Sequence, residues 1–170
     1  AYVVWGSSRW TTRSADAEET VFDWADTDSR GVQLRPHPDA PDADNIWETT
    51  TVRTASGTGT SLSFARGTGE DRSYRVNGAD GEPVHVAGAA EVEIDLTTAA
   101  VGARITLELT SWLQTEQKEE FDIARIRLSD DDGETWRIIA ANAVAGLTES
   151  AALLPDSSGW HPLLFTLDAS

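Results

Sequence analysis

The side chains of this sequence best suited to hold a metal ion are carboxylates that occur in two short clusters. The first cluster lies in the proline-containing segment from Arg35 to Asn45, and the second comes just before a predicted strand. Their members are Asp39, Asp42 and Asp44, and Glu119, Glu120 and Asp122. Calcium takes about six to eight oxygen ligands from carboxylates and carbonyls, so calcium is the cofactor that such clusters would bind. The clusters predict either a calcium site or ordinary solvated acidic loops, and the acidic loops are the simpler interpretation.

Aromatic and arginine side chains offer a second kind of chemistry, the binding of a sugar or another polar ligand. An exposed indole ring can stack on the apolar face of a sugar while its N–H stays hydrated. The predicted ligand-binding residues are Trp47, beside the proline-containing segment, and Arg72, Tyr74 and Arg75 in a second long loop. Further candidates for exposed rings are Trp5 and Trp10. The remaining tryptophans are predicted to pack in the core, and these are Trp24, Trp112, Trp136 and Trp160.

No arrangement of residues in the sequence indicates catalysis. The histidines His37, His85 and His161 are isolated from one another, and no HExxH metal motif is present. The sequence also lacks a GxSxG nucleophile turn and a phosphate-binding glycine loop. Neighbouring carboxylates carry little information in a chain with 29 acidic residues. The prediction is therefore a protein that is not an enzyme.

The most specific pattern is the segment SDDDGETW, which begins at Ser129. In such a segment the side chains of Ser129 and Asp131 can accept hydrogen bonds from backbone amides, and Gly133 can take a positive φ. Thr135 precedes Trp136, which is predicted to fold back as an apolar plug. These five positions predict a structural hairpin turn that satisfies its own polar groups.

The elements that must position these residues are strands, because the dominant apolar period in the sequence is two. Apolar and polar residues alternate in Glu91–Leu96, in Arg104–Leu109 and in Ile123–Leu128, so that every second side chain falls on one face. About ten short strands separated by Gly, Pro, Asp and Ser predict an all-β protein with a jelly-roll-like antiparallel β-sandwich. The alanine-rich segment Ala141–Leu154 leaves one short helix open.

Length and charge limit the domain organisation and the partners. The chain has 170 residues and no cysteine, which suits one core without disulfide bonds. We predict a sandwich domain at 14–170, with 1–13 forming a strand or connector that either completes its sheet or belongs to a neighbouring element. The net charge of −16 repels nucleic acid and anionic lipid, and no long apolar run is present. Nucleic-acid binding and membrane insertion are therefore not expected.

The turn segment resembles the Asp-box of sialidases at every defining position. In sialidases this box is a structural turn away from the catalytic centre, so the resemblance assigns no chemistry to Ser129 or Asp131. The chain is too short for a sialidase propeller, and it has no match for the arginine triad or the tyrosine and glutamate pair of those enzymes. A sialidase domain is not expected.

A second resemblance covers the chain from about Glu19 to its end. A strand that ends at Ser129 leads into a turn with the DG and TW elements, then to Gly159-Trp160, and finally to Leu167-Asp168. This succession is similar to jelly-roll domains related to MAM, including the choice-of-anchor J type and those beside immune inhibitor A metalloproteases. Glu134 stands where those domains carry the second glycine of the turn.

The resemblance to MAM-like domains implies a noncatalytic extracellular accessory module of a larger secreted or cell-surface protein. Its role would be structural or adhesive, and a carbohydrate-binding module is the alternative. A fragment of a glycan-active or proteolytic enzyme is a third reading. The implied partners are a protein or glycan ligand at the cell surface and other domains of the same polypeptide.

Overall fold

The computed structural model consists of strands and loops throughout the residues that it describes, which are 2–13, 18–24, 31–67, 73–74, 76–96, 103–115, 122–143 and 151–168. The strands are β1 (Tyr2–Arg13), β2 (Glu18–Trp24), β3 (Val32–Pro36), β4 (Trp47–Thr50), β5 (Ser61–Phe64), β6 (Val76–Asn77), β7 (Pro83–Val84), β8 (Gly88–Val92), β9 (Arg104–Gln114), β10 (Arg125–Leu128), β11 (Arg137–Ala141), β12 (Ala152–Leu153) and β13 (Ser157–Asp168). Apart from the parallel pair β11 and β12, the described strands pair antiparallel. The prediction of an all-β chain is confirmed.

The largest sheet has the strand order β13-β9-β1-β5-β4, and β2 also pairs with β1. Strand β9 pairs with β1 along its whole length, from Gln114 opposite Tyr2 to Arg104 opposite Arg13. Its other edge pairs with β13. The N-terminal segment, which the sequence left as a connector or as part of the sheet, therefore lies inside this sheet between β9 and β5.

Alternation along β9 determines which face of the large sheet is buried. Ile105, Leu107 and Leu109 are buried, whereas the intervening Glu108 is exposed and Thr106 is only partly buried. Successive side chains of a strand point to opposite faces, so one face of β9 is apolar and the other is polar. The period of two in the sequence correctly predicted this strand and its buried face.

The second sheet, with the order β10-β11-β12, packs on the apolar face of β9. Ile126 and Leu128 of β10 and Ile139 of β11 pack against the buried side chains of β9, and so do Leu163 and Phe165 of β13. The main core thus lies between two layers of sheet, which is the sandwich-like arrangement that antiparallel sheets with one apolar face adopt.

The pairing of β3 with β8 differs from the sequence prediction. The prediction placed Arg35 in an irregular loop and a strand at Glu91–Leu96, whereas the ladder runs from Val32 opposite Val92 to Pro36 opposite Gly88. Pro36 is the last residue of β3, a position where its missing N–H interrupts no further pairing. After Val92 the side chains still alternate between exposed and partly buried. Ile94 and Leu96 pack on the core, although neither belongs to a strand.

Two further predictions concern helices. The short helix left open within Ala141–Leu154 falls partly on residues 144–150, which lie outside the described residues. Of the described part of this segment, Ala141 ends β11 and Ala152–Leu153 forms β12, and none of it is helical. In the described part of the chain, we find no helix with the length and apolar character needed to cross a membrane.

Candidate functional site

The segment between β10 and β11 is a hairpin turn in which side chains hydrogen-bond the backbone. The Ser129 hydroxyl accepts from the Gly133 N–H at 2.9 Å and donates to Asp131 Oδ1 at 2.7 Å. The Asp131 carboxylate also accepts from the backbone N–H of Thr135 at 2.8 Å and from the Thr135 hydroxyl at 2.5 Å. The turn therefore satisfies its polar groups locally, and it joins β10 to its antiparallel partner β11.

Trp136 folds back over this turn but does not reach the core. Its indole N–H donates to the Gly133 carbonyl at 3.0 Å, and a Cβ at position 133 would lie 3.4 Å from the Trp136 ring. Gly133 has φ of 84° and Asp132 has φ of 56°, so two consecutive residues are left-handed. The Trp136 side chain stays 43% exposed. The prediction that Trp136 packs in the core is therefore wrong. Trp136 still belongs to the turn, since β11 begins at Arg137, and its ring covers Gly133.

The hydrogen bonds of Asp131 predict how the turn responds to acid. The Thr135 hydroxyl, the Thr135 N–H and the Ser129 hydroxyl stabilise the carboxylate and lower the pKa of Asp131 from 3.8 to about 2. A carboxyl whose pKa is lower in the folded state contributes stability above its unfolded pKa. We expect this contribution to be intact above pH 3.8 and to be lost as the pH falls toward about 2.

An NMR titration of the Asp131 side-chain carboxyl carbon measures this pKa directly. The variant Thr135→Val removes the first of the three donors, so its Asp131 pKa is expected to rise toward the ordinary value. Glu134→Gln is the matched control, because the Glu134 side chain is exposed and is not among the donors to Asp131. An ordinary pKa for Asp131 in the unmodified protein would contradict the geometry of the turn.

The described carboxylates of the predicted calcium clusters lie apart, and two of them face arginines. Asp39 is 3.6 Å from the guanidinium of Arg127, and Asp44 is 3.7 Å from that of Arg66. Asp42 is exposed in the same loop. Two predicted ligands lie outside the described residues, and these are Glu119 and Glu120. Among the residues that are described, no three acidic or histidine side chains come close enough together to hold a metal ion.

The proline-containing segment is held by its own turns and by neighbouring strands. The His37 Nδ1 atom accepts a hydrogen bond from the Asp39 N–H at 3.1 Å. Burial, and then the positive charge of Arg127, lower the pKa of His37 below its usual value, which favours the neutral ring that this bond requires. The backbone of Asp44 bonds that of His85 and Ala87, which ties the end of the loop to the start of β8.

Tyr74 and Asp122 come together in a hydrogen-bond network with Asn142. The Tyr74 hydroxyl donates to Asp122 Oδ2 at 2.9 Å, and the Asn142 amide donates to the Asp122 carbonyl at 2.7 Å. The side-chain oxygen of Asn142 accepts from the Ala124 N–H at 2.9 Å. The predicted ligand residue Tyr74 and the predicted metal ligand Asp122 thus bond to each other. The other predicted ligand residues of this loop, Arg72 and Arg75, lie outside the described residues.

Asn142 carried no sequence signal for its role, because its partners Ala124 and Asp122 lie 18 and 20 positions away in the chain. It follows two alanines that are fully buried, Ala140 and Ala141, at the point where β11 ends. A polar side chain directly after a buried strand can hydrogen-bond backbone N–H and C=O groups of the neighbouring chain, at positions where the strand pairing has ended. Asn142 does this for the chain entering β10.

Trp47, the main predicted sugar platform, is packed against its neighbours. Its ring lies 5.3 Å from that of Phe64, which is opposite it in the pairing of β4 with β5. The Trp47 backbone N–H donates to Asn45 Oδ1 at 3.1 Å. A Cβ at Gly88 would overlap the same Asn45 atom and lie 3.0 Å from the Trp47 ring, so a larger residue at position 88 would require the Asn45 side chain to move. The site leaves little of the Trp47 face available for a sugar.

A second aromatic cluster lies at the end of β9. The rings of Trp112 and Trp160 meet edge to face at 5.8 Å, and the Arg53 guanidinium lies 4.3 Å above the Trp112 ring. Both tryptophans are partly buried, which agrees with their predicted packing role. Sequence reasoning missed Arg53, because it comes from a loop far from β9 in the sequence and only the folded sheet brings the two together.

The described indole rings therefore fall into two classes. Trp47, Trp112 and Trp160 contact other aromatic rings and are partly buried, whereas Trp136 is presented to solvent on a rigid turn. Trp5 and Trp10 lie in β1, where they pair with Ser111 and Leu107 of β9. No protein-family model, curated protein or solved structure matches this chain.

Proposed function

We propose that the chain is a jelly-roll-like β-sandwich that serves as a noncatalytic accessory module of a larger secreted or cell-surface protein. Its role in that protein is structural or adhesive. The packing of the sheet β10-β11-β12 on the apolar face of β9 supports the sandwich arrangement. The order of strand, turn and later tryptophan that is similar to MAM-like domains supports the same assignment.

The main support for a structural role is that most of the described aromatic side chains pack against one another or against an arginine. Trp47 packs on Phe64, and Trp112 lies between Trp160 and Arg53, so these rings stabilise the sheet. Edge-to-face aromatic pairs add about 0.5–1.5 kcal/mol beyond the burial of their area. Rings that are committed to such contacts are poor platforms for a flat ligand, and this favours a scaffold whose partners bind elsewhere on its surface.

The charge of the surface favours a partner whose own surface is cationic. The excess of sixteen negative charges keeps the chain soluble and steers it toward cationic surfaces. Association by this route weakens as salt rises, because the charges are screened. Other domains of the same polypeptide would set where the module is displayed.

A carbohydrate-binding module is the second candidate, and the exposed ring of Trp136 favours it. The bond from its indole N–H to Gly133 fixes the ring before any ligand arrives. An aromatic side chain that is already ordered loses little conformational entropy on binding. If the chain binds sugar, Trp136 is therefore a better platform than Trp47, which was the sequence-based candidate.

A glycan array separates these two functions. Under the structural proposal we expect no glycan signal from the purified chain, either in calcium or in chelator. A signal that is lost in Trp136→Ala and kept in Leu153→Ala, another exposed apolar residue, would replace the structural role with carbohydrate binding. A signal that survives Trp136→Ala would equally overturn the structural role and would place the sugar at another face.

Thermal unfolding tests the calcium prediction for the two carboxylate clusters. A ligand that binds only the folded state raises the melting temperature, by an amount that grows with the logarithm of its free concentration above the dissociation constant. We expect the same melting temperature in calcium and in chelator if the clusters are solvated acidic loops. A higher melting temperature in calcium that disappears in Asp42→Asn would establish a calcium site in the proline-containing segment.

A further inference from the structure

Asn77 is chemically distinct from the other asparagines of the chain. It is followed by Gly78, whereas Asn45 is followed by Ile46 and Asn142 by an alanine. Glycine has no Cβ, so its backbone nitrogen approaches the preceding side-chain amide with the least hindrance. Asn77 is also exposed, at the end of β6. An exposed asparagine before glycine is the arrangement in which spontaneous deamidation is fastest.

The reaction needs only the chain and water. The Gly78 nitrogen attacks the side-chain carbon Cγ of Asn77, a new C–N bond forms, and the Cγ–Nδ2 bond breaks. The proton of the Gly78 nitrogen passes through solvent to the departing nitrogen, which leaves as ammonia. Water then opens the five-membered succinimide at either carbonyl, which gives aspartate or isoaspartate at position 77.

The folded hairpin restrains the attacking nitrogen. The Gly78 N–H donates to the Glu82 carbonyl at 2.8 Å, which closes the loop between β6 and β7. The Gly81 N–H donates to the Gly78 carbonyl at 3.0 Å, so the peptide groups on both sides of Gly78 are fixed. A nitrogen that donates a strong hydrogen bond stays protonated and points its lone pair away from the Asn77 side chain.

We propose that Asn77 is a deamidation site whose rate is controlled by opening of the hairpin from Val76 to Val84. The reaction proceeds from the open hairpin, because only there is the Gly78 nitrogen free to rotate and to lose its proton. The product adds a negative charge close to Asp80 and Glu82. Isoaspartate also routes the main chain through one extra methylene group, which breaks the pairing of Val76 with Val84. Aspartate or isoaspartate at position 77 therefore marks the molecules in which the hairpin has opened.

Peptide mapping by mass spectrometry tests the proposal. Trypsin cleavage after Arg75 and Arg104 gives the peptide 76–104, which contains Asn77 and no other asparagine. Folded and urea-unfolded protein are incubated side by side at mildly alkaline pH, and the gain of mass that accompanies deamidation is followed. We expect conversion at least about tenfold slower in the folded protein, since the reaction waits for local opening. Equal rates in the two states would overturn the proposal.

Two glycine variants supply a matched comparison. Gly81 has φ of 83° and Gly57 has φ of 77°, and a Cβ at either position meets nothing within 4 Å. Alanine is strained to a similar degree at both, but only Gly81 belongs to the hairpin that holds Gly78. We expect Gly81→Ala to speed the deamidation of Asn77 several-fold and Gly57→Ala to leave it unchanged. Equal acceleration in both variants would show that global stability, and not the hairpin, controls the rate.

Hydrogen exchange of the Gly78 amide measures the opening in the unmodified protein, without any substitution. The exchange rate and the deamidation rate should rise together when the temperature or the urea concentration is increased below the unfolding transition. A deamidation rate that stays constant while Gly78 exchange accelerates contradicts control by the hairpin. Asn77→Gln, which lacks the five-membered route, should show no comparable gain of mass in the peptide 76–104.

Discussion

Replacing Leu113 with alanine is expected to lower the free energy of unfolding by about 2–5 kcal/mol. Leu113 lies near the end of β9 and is only 1% exposed. Its core neighbours include Ala124, Ala140 and Leu154. The two alanines have no side-chain length with which to fill the space that the shorter residue leaves. The cavity therefore persists, and the cost lies toward the upper end for a leucine in a core.

Urea unfolding followed by tryptophan fluorescence measures this loss. Leu164→Ala is the matched control, because it makes the same chemical change on β13 at a side chain that is 66% exposed. We expect the control to change stability by no more than about 0.5 kcal/mol. Similar losses in the two variants would show that the core does not lie on the Leu113 face of β9.

Replacing Asn142 with alanine is expected to cost about 1–3 kcal/mol, although the side chain is small and polar. The substitution removes the acceptor for the Ala124 N–H and the donor to the Asp122 carbonyl. Ala124 is buried, so water cannot easily replace the lost partner of its N–H. The penalty comes from the backbone groups left unsatisfied and not from lost apolar area.

A comparison of three variants resolves the two hydrogen bonds of Asn142. Asn142→Asp keeps an acceptor for the Ala124 N–H but turns a carboxylate oxygen toward the Asp122 carbonyl, so its loss of stability should come from the Asp122 contact and not from the Ala124 N–H. Asn77→Ala is the control for loss of an exposed asparagine side chain and should lie within about 0.5 kcal/mol of the unmodified protein. Amide exchange at Ala124 should accelerate in Asn142→Ala and much less in Asn142→Asp.

Local patterns in the sequence were sufficient to predict the strands that form one buried face. The alternation of Arg104–Leu109 predicted β9 and its buried residues, because a period of two maps directly onto the two faces of a strand. The types and spacing in SDDDGETW pointed to a hairpin turn, since all of its hydrogen bonds join residues at most four positions apart. Such features are encoded within a short window of the chain.

Features that depend on contacts between distant segments were not predicted. Arg53 contacts Trp112, and Tyr74 bonds Asp122, only because segments far apart in the sequence are brought together in the fold. β3 was missed because its one proline and its polar residues resemble a loop, whereas the partner β8 makes the segment Val32–Pro36 extended. The prediction that Trp136 is buried was also wrong. A tryptophan favours apolar contact, but its residue type does not determine whether the ring packs into the core or over the turn, where part of it stays in solvent.

The position of β9 between β1 and β13 has a consequence for the order of folding. During synthesis β1 emerges before the strands with which it pairs, and β2 can pair with its Ser8–Arg13 half at once because the two are close in sequence. The partner β9 is made only after the strands β2 to β8, and β13 follows later still. Closing such long loops costs entropy before the contacts form, so folding should be slow. Until β9 is made, the edge of β1 that it will cover is open to pairing with a wrong strand.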